Sequence, residues 1–216
     1  MLPEAPTPEP GPTVFEVIAK SSSDDETAAL PIYTPTLLDP LPSTLSGIDA
    51  FCDPINKTRV VMQIDKILRT EAPISRTQLT KRLLAAWGIA RSSPRTERTV
   101  DEALNFIDMQ MTRSATKTFY WLTDPDKPTP FRIPNKQNPK SRRDMDDIPT
   151  EELASAIRYI VERQYSLQTD DLYREVAKLL GFSRCAPSMQ TSISEGIVHA
   201  AKNGWVLEKN GRVTVL

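Results

Sequence analysis

The chain has 216 residues, of which 39% are hydrophobic and 25% are charged, and its formal net charge is −1. This composition is ordinary for a globular protein, and the apolar runs are too short to cross a bilayer. The first twenty residues carry three glutamates, one lysine and no apolar core, and the chain has two cysteines, Cys52 and Cys185, so we expect a cytoplasmic protein with free thiols, no secretory signal and no membrane partner.

Residues 1–56 hold ten of the nineteen prolines and nine acidic residues against one basic residue. They show no sustained apolar period, which predicts an acidic, proline-rich arm that is largely disordered or extended. The stretch IYTPTLLDPLP at 32–42 is more apolar than the rest. We expect it to lie in an extended conformation against a neighbouring domain.

Residues 57–122 carry the signals of three helices and a hairpin. Apolar residues recur at helical spacing over about 58–71 and stop at Pro73. A second helix runs from Leu79 to Gly88, where a left-handed cap residue belongs. A third helix begins at Pro94, since proline suits a first turn. MTRSATKTFYWL at 111–122 has the pattern of a hairpin, and ISR at 74–76 supplies a short strand that pairs with it.

The same signals recur ninety-three residues later. LTKRLLAAWGIARSSPR at 79–95 aligns without a gap with LYREVAKLLGFSRCAPS at 172–188, and the offset also pairs apolar positions before and after that stretch. Residues 149–216 therefore read as a second copy of the module, with SLQT at 166–169 as its short strand and a hairpin around Asn210-Gly211. Residues 123–148, with five prolines and no glycine, read as a stiff linker.

Helix, short strand, helix, glycine turn, helix and hairpin is the element order of a winged helix. The predicted fold class is therefore mainly α with short β-hairpins. It consists of two tandem winged-helix, or helix-turn-helix, modules joined by a proline-rich linker.

The first module is basic, with twelve basic and six acidic residues, whereas the second is balanced at eight of each. With its apolar stripe facing inward, the third helix of the first module presents arginine and asparagine outward, the residue types that read guanine and adenine edges. Glu102 on the same face counts against tight binding. The candidate DNA-binding residues are Arg76, Lys81, Arg82, Arg91, Arg95, Arg98, Asn105, Arg113 and Lys117.

The second module exposes a poorer face for nucleic acid: Ser188, Thr191, Glu195, Val198 and Lys202. We assign structural roles to Gly88 and Gly181, which close helices, and to Arg184 and Glu195. Arg91 and Arg184 occupy the same place in the two modules. Each either contacts a phosphate or forms an ion pair or carbonyl cap that fixes the helix turn, with Glu102 and Glu195 as candidate partners.

Catalysis finds little support in the sequence. His199 is the only histidine, and no phosphate-binding loop or metal-ligand spacing occurs. We predict that the chain is not an enzyme and needs no metal or other cofactor.

The pattern L-x-x-x-[LV]-x-x-x-x-G-[IF]-x-R, followed by a proline-started helix and a hairpin, resembles a bacterial domain-of-unknown-function family. Its members form the C-terminal region of large superfamily 1 DNA helicase-related proteins that carry a restriction-endonuclease-like domain. The second copy is the closer match. The resemblance implies a DNA-processing setting such as restriction or phage defence, with a helicase or nuclease partner, or missing N-terminal domains, supplying the catalysis.

Two hypotheses follow. In the first, the chain is a non-catalytic accessory module that binds DNA weakly and without sequence specificity through the first module. In the second, the paired modules dock a helicase or nuclease protein without contacting DNA. A continuous basic face across the third helix and hairpin would favour the first.

Overall fold

Residues 30–113 and 117–216 are described by a computed structural model, and the predictions made for residues 1–29 lie outside this range. The described chain is mainly helical, with two small antiparallel sheets. The helices are α1 (Ile48–Phe51), α2 (Lys57–Glu71), α3 (Arg76–Ala86), α4 (Pro94–Leu104), α5 (Thr150–Gln164), α6 (Thr169–Leu179) and α7 (Pro187–Lys202). The strands are β1 (Ile74–Ser75), β2 (Gln110–Arg113), β3 (Thr118–Trp121), β4 (Ser166–Gln168), β5 (Val206–Lys209) and β6 (Arg212–Val215).

The first half packs α2, α3 and α4 around one apolar core. Val60, Ile64, Ile67 and Leu68 of α2 are buried on one stripe, as the helical spacing predicts. Ser75 caps α3 by accepting the backbone N–H of Gln78 at 3.0 Å. Inner residues of α3 and α4 complete the core: Leu79, Leu83, Leu84, Val100, Ala103 and Leu104.

The second half has the same element order. In each half a two- or three-residue strand after the first helix pairs with the last strand of the hairpin, which gives the orders β1-β3-β2 and β4-β6-β5. Ile74 lies opposite Tyr120, and Leu167 lies opposite Val213. These two pairs are separated by the same ninety-three residues as the sequence motifs.

Both halves close their middle helix with a left-handed glycine. Gly88 has φ +67° and Gly181 has φ +83°, a conformation that glycine adopts without a steric penalty. The backbone N–H of the next residue then bonds back to the helix, from Ile89 to the carbonyl of Leu84 at 3.0 Å and from Phe182 to that of Ala177 at 2.9 Å. The third helix of each half begins at its proline, as predicted.

The segments that precede the two halves are packed into the fold. Residues 31–56, assigned from the sequence to the arm, contribute buried Tyr33, Thr36 and Phe51. Residues 123–148, assigned to the linker, bury Phe131 and Ile133 and contain two short 3-10 turns. The burial of Tyr33 and Thr36 agrees with the expectation that residues 32–42 lie against a neighbouring domain. The apolar residues of 123–148 follow no helical or strand period, so their burial was not predicted from the sequence.

Residues 31–216 form one compact unit, and the two segments bridge its halves. The backbone N–H of Tyr33 donates to the carbonyl of Ile133, and that of Ile133 donates to the carbonyl of Pro31, both at 2.8 Å. Within the described ranges, none of the helices combines the length and the apolar character that a membrane crossing requires.

Candidate nucleic-acid interface

Helix α4 has one buried and one exposed face, and its start is tightly fixed. The side chain of Ser93 accepts the backbone N–H of Thr96 at 3.3 Å, while the Thr96 hydroxyl accepts that of Ser93 at 2.8 Å, which forms a capping box. Thr96 and three apolar residues face the core. The outward face carries the predicted residues Arg95, Arg98, Glu102 and Asn105, all of them exposed.

Two clefts flank α4 and share Arg76 as a wall. One cleft, of about 690 Å³, lies between α3 and the turn before α4, with Lys81 and Ser92 on its rim. The other, of about 510 Å³, lies between the C-terminal end of α4 and the hairpin and brings Asn105 and Arg113 together. The candidate residues therefore surround α4 on both sides.

Arg76 itself is committed to holding the fold. Its guanidinium donates to Glu97 at 2.7 Å, to Asp101 at 2.6 Å and to the hydroxyl of Tyr120 at 3.2 Å. Burial alone would lower the pKa of Arg76, but its bonds to Glu97 and Tyr120 raise it above the ordinary value. Arg76 therefore links the start of α3 to α4 and β3. Because its guanidinium N–H groups already make these hydrogen bonds, few of them are available to bind a phosphate.

Three more of the predicted basic residues have carboxylate partners. Arg82 lies 3.3 Å from Glu71, which is fully buried. The other two pairs join residues distant in sequence, Arg95 to Asp49 at 2.6 Å and Lys117 to Asp146 at 2.7 Å. The last two carboxylates are largely exposed, so a phosphate could compete with them for the cation.

Four predicted basic residues are exposed and make no ion pair with any residue in the described ranges: Lys81, Arg91, Arg98 and Arg113. Lys81 lies beside the cleft before α4, Arg98 on the outward face of α4, and Arg113 on the hairpin. Arg91 lies in the turn that leads to α4. Lys81 lies near enough to Asp147 for their charges to interact, so Arg91, Arg98 and Arg113 are the basic residues of the candidate interface without a charged partner in the described ranges.

The second half has a cleft at the equivalent place but different charges. The cleft has about 590 Å³ and is lined by Tyr173, Arg174 and Arg184. Arg174 pairs with Asp171 at 2.6 Å. Arg184 and Glu195 are both exposed, and neither forms an ion pair within the part of the chain that the structure describes, so the contact expected between them is not made. The same holds for Arg91 and Glu102.

A buried charged cluster that was not predicted from the sequence lies where the two halves meet. Glu152 is fully buried between Arg132 and Arg143. Arg132 also donates to the carbonyls of Glu71 at 2.8 Å and Pro73 at 2.7 Å. One signal was present in the sequence, since Glu152 stands four residues before buried Ala156 and eight before buried Ile160 and therefore lies on the inward stripe of α5.

Burial and charge act in opposite directions on Glu152. Burial alone would raise the pKa of its carboxyl, but the positive charges of Arg143 and Arg132 outweigh burial and lower that pKa. The carboxylate of Glu71 is likewise buried and accepts hydrogen bonds from the hydroxyl of Tyr33 and, at 2.8 Å, from the backbone N–H of Thr36. Burial and the nearby Glu71 raise the pKa of Tyr33 to about 12.

A family model described as "Protein of unknown function (DUF3320)" matches residues 49–98, from within α1 to within α4. The match supports the resemblance to a family of unknown function over this stretch, which lies in the first half and the segment before it, whereas the second copy was expected to be the closer match. No curated protein matches this sequence.

Proposed function

We propose that the chain is a non-catalytic accessory module made of two winged helices, and that the first of them binds duplex DNA. The element order, the two strand orders and the left-handed glycine turns support the winged-helix assignment. In this arrangement α4 is the recognition helix and β2–β3 is the wing. The equivalent elements of the second half are α7 and β5–β6.

One observation carries the DNA proposal: four exposed basic residues that make no ion pair with a described residue surround the outward face of α4. Lys81, Arg91 and Arg113 are placed to contact phosphates, while Arg98 and Asn105 face outward from the helix toward base edges. Arg95 and Lys117 contribute once their exposed carboxylate partners are displaced. Glu102 on the same face keeps the affinity weak and independent of sequence.

The resemblance of the sequence motif implies a place beside a bacterial helicase or nuclease. In such a system the chemistry belongs to a partner protein or to other domains. The module provides additional binding contacts to the duplex.

Fluorescence anisotropy with a short labelled duplex tests the DNA proposal. For about four neutralised phosphates, log K should fall against log salt with a slope of roughly −3.6, since each contact contributes about −0.9. Replacing Arg91 and Arg98 with Glu should remove measurable binding. The matched control replaces Arg184 and Lys202 of the second half with Glu, which changes the net charge equally, and should leave most of the affinity intact.

Equal losses in both double variants would show that net charge, and not the α4 face, governs binding. If the intact chain fails to bind duplex DNA even at low ionic strength, the DNA proposal is overturned. Circular dichroism of each variant checks that it is folded.

A second candidate function, docking of a helicase or nuclease protein, is favoured by a separate apolar surface. Met62, Phe106 and Leu122 are exposed and line a cleft of about 470 Å³ between α2, the end of α4 and the end of β3. Exposed apolar clusters of this kind are typical of protein interaction sites. Replacing Phe106 with Ser should leave DNA affinity unchanged. If the original chain does not bind DNA, docking of a protein becomes the better proposal.

A further inference from the structure

The joint between the two halves has two unlike sides. The first half contributes the end of α2 and strand β1, and the second half contributes residues 131–148, which precede α5. Arg132 donates to the carbonyls of Glu71 and Pro73, and the hydroxyl of Ser75 donates to Asp147. We call the first side the plug and the second side the socket.

The socket covers the start of α5. Ile148 is only 5% exposed, and Met145 and Asp147 are buried beside it. Lys117 of the first half closes the rim by pairing with Asp146 at 2.7 Å. The turn at residues 145–148 is therefore buried at the place where the first half contacts it.

The equivalent turn of the first half, ninety-three residues earlier, is not covered. Ile55 stands where Ile148 stands in the second half, at the start of the long helix, yet it is 84% exposed. Asp53 repeats Asp146, and Pro54, at the place of Asp147, is exposed. The first half thus has a socket that no described part of the chain occupies.

This open socket is a cleft of about 590 Å³ along α2. Its apolar lining is formed by Leu38, Leu41, Ile55 and Met62. Arg59 and Lys66 stand on its rim, and neither makes an ion pair with a residue in the described ranges. A fitting partner therefore presents an apolar or aromatic side chain together with hydrogen-bond acceptors.

The second half presents an open plug with those properties. Gln164, Tyr165 and Gln168 occupy the positions that are equivalent to Glu71, Ala72 and Ser75, and all three are exposed. The side chain of Tyr165 is 75% exposed at the end of α5. The carbonyl groups at a helix C-terminus attract a cation such as the guanidinium of Arg59.

We propose that the chain associates with itself head to tail, with the plug of one copy, at Tyr165, seated in the open socket of a second copy, at Ile55. The contact brings together the elements that are equivalent to the two sides of the internal joint, with Asp39 and Pro54 in the places of Arg132 and Asp147. Because the two sides differ, each bound pair of copies still offers one free plug and one free socket, so the contact propagates into longer assemblies unless the rotation closes a ring.

Sedimentation velocity of the full chain, at concentrations up to about 1 mM, tests this proposal, because even a weak interface is populated there. The weight-average mass should rise with concentration. Ile55→Arg and Tyr165→Asp should each weaken association at least about tenfold. Val198→Glu, at an exposed apolar site on the outward face of α7, is the matched control and should associate like the original chain.

Mixing the two defective variants distinguishes a plug-and-socket contact from any other. Ile55→Arg retains an intact plug and Tyr165→Asp retains an intact socket, so an equimolar mixture should form a dimer that stops at two copies. A symmetric contact between two sockets would not be restored by mixing. A mass that stays monomeric at every concentration, association that survives both substitutions, or a mixture that remains monomeric overturns the proposal.

Discussion

Removing the charge of Glu152 should strongly destabilise the protein, and the structure indicates how strongly. Glu152 is fully buried and is held by two arginines, of which Arg143 is 3% exposed and Arg132 is 13% exposed. Glu152→Gln keeps the size of the side chain but leaves both guanidinium groups in the interior without their counter-charge. Breaking a buried ion pair on one side costs about 3–5 kcal/mol of unfolding free energy.

Glu162→Gln is the matched control because it makes the same chemical change on the same helix. Glu162 pairs with Arg158 four residues away, and both side chains are more than 40% exposed. Exposed pairs of this spacing contribute less than about 0.5 kcal/mol. Urea denaturation at neutral pH, with the slope compared between variants, measures both losses.

The pH dependence provides a second measurement on Glu152. The pKa of its carboxyl is lowered from the ordinary value of 4.5, so the charged form stabilises the fold fully above that value. This contribution is lost as the pH falls below 4.5 through the lowered pKa. A Glu152→Gln variant within about 1 kcal/mol of the original chain at neutral pH would refute the claim that the cluster stabilises the joint.

Three further outcomes follow from the described contacts and charges. Tyr33→Phe should remove the tyrosine that titrates at about pH 12 in an absorbance titration. In the original chain the raised pKa keeps the Tyr33 hydroxyl protonated in the folded state, so the stability that Tyr33 contributes should fall as the pH rises from 10.0 to about 12. Gly88→Ala should cost about 1–2 kcal/mol for its left-handed backbone, whereas Gly181→Ala should cost more in thermal or urea unfolding, because the new Cβ would lie 2.6 Å from a ring carbon of Pro134. Deleting residues 1–29, which hold six acidic residues and one basic residue, should tighten DNA binding at low salt by an amount that shrinks as salt rises, and an unchanged salt series would contradict it.

The helices and hairpins were predictable because their signals are local. The apolar period of α2, the proline at the start of α4 and the glycine turns each lie within a few residues of the structure that they specify. The strand ISR was found from its place before α3, and β1 indeed pairs with β3. Local signals of this kind agree with one another in both halves, which is why one sequence was enough to suggest that its two halves are similar.

The sequence predicted that residues 32–42 lie against a neighbouring domain, but it did not indicate which residues the proline-rich segments contact. Tyr33 is buried because its hydroxyl reaches Glu71, thirty-eight residues away along the chain. Arg132 is held by carbonyls about sixty residues away. Neither partner is indicated by composition or period, since both contacts depend on how the halves come together.

The charge of the basic surface was also only partly predictable from the sequence, and this affects the functional interpretation. The sequence assigns twelve basic residues to the first module, but Asp49 and Asp146, which lie outside it, hold Arg95 and Lys117. The charge of a segment is therefore not the charge of its surface.

The remaining charges of α4 decide how far the DNA proposal can extend. Of its three acidic residues, Glu97 and Asp101 are bound by Arg76, and only Glu102 faces outward without a partner in the described chain. The fold thus neutralises two carboxylates that would otherwise repel a phosphate backbone, at the expense of one arginine. The charges on the outward face that make no ion pair in the described chain are those of Arg98 and Glu102, and they offset each other. Most of the affinity must therefore come from the flanking Lys81, Arg91 and Arg113. A surface of this kind can hold a duplex but has few groups with which to read its sequence.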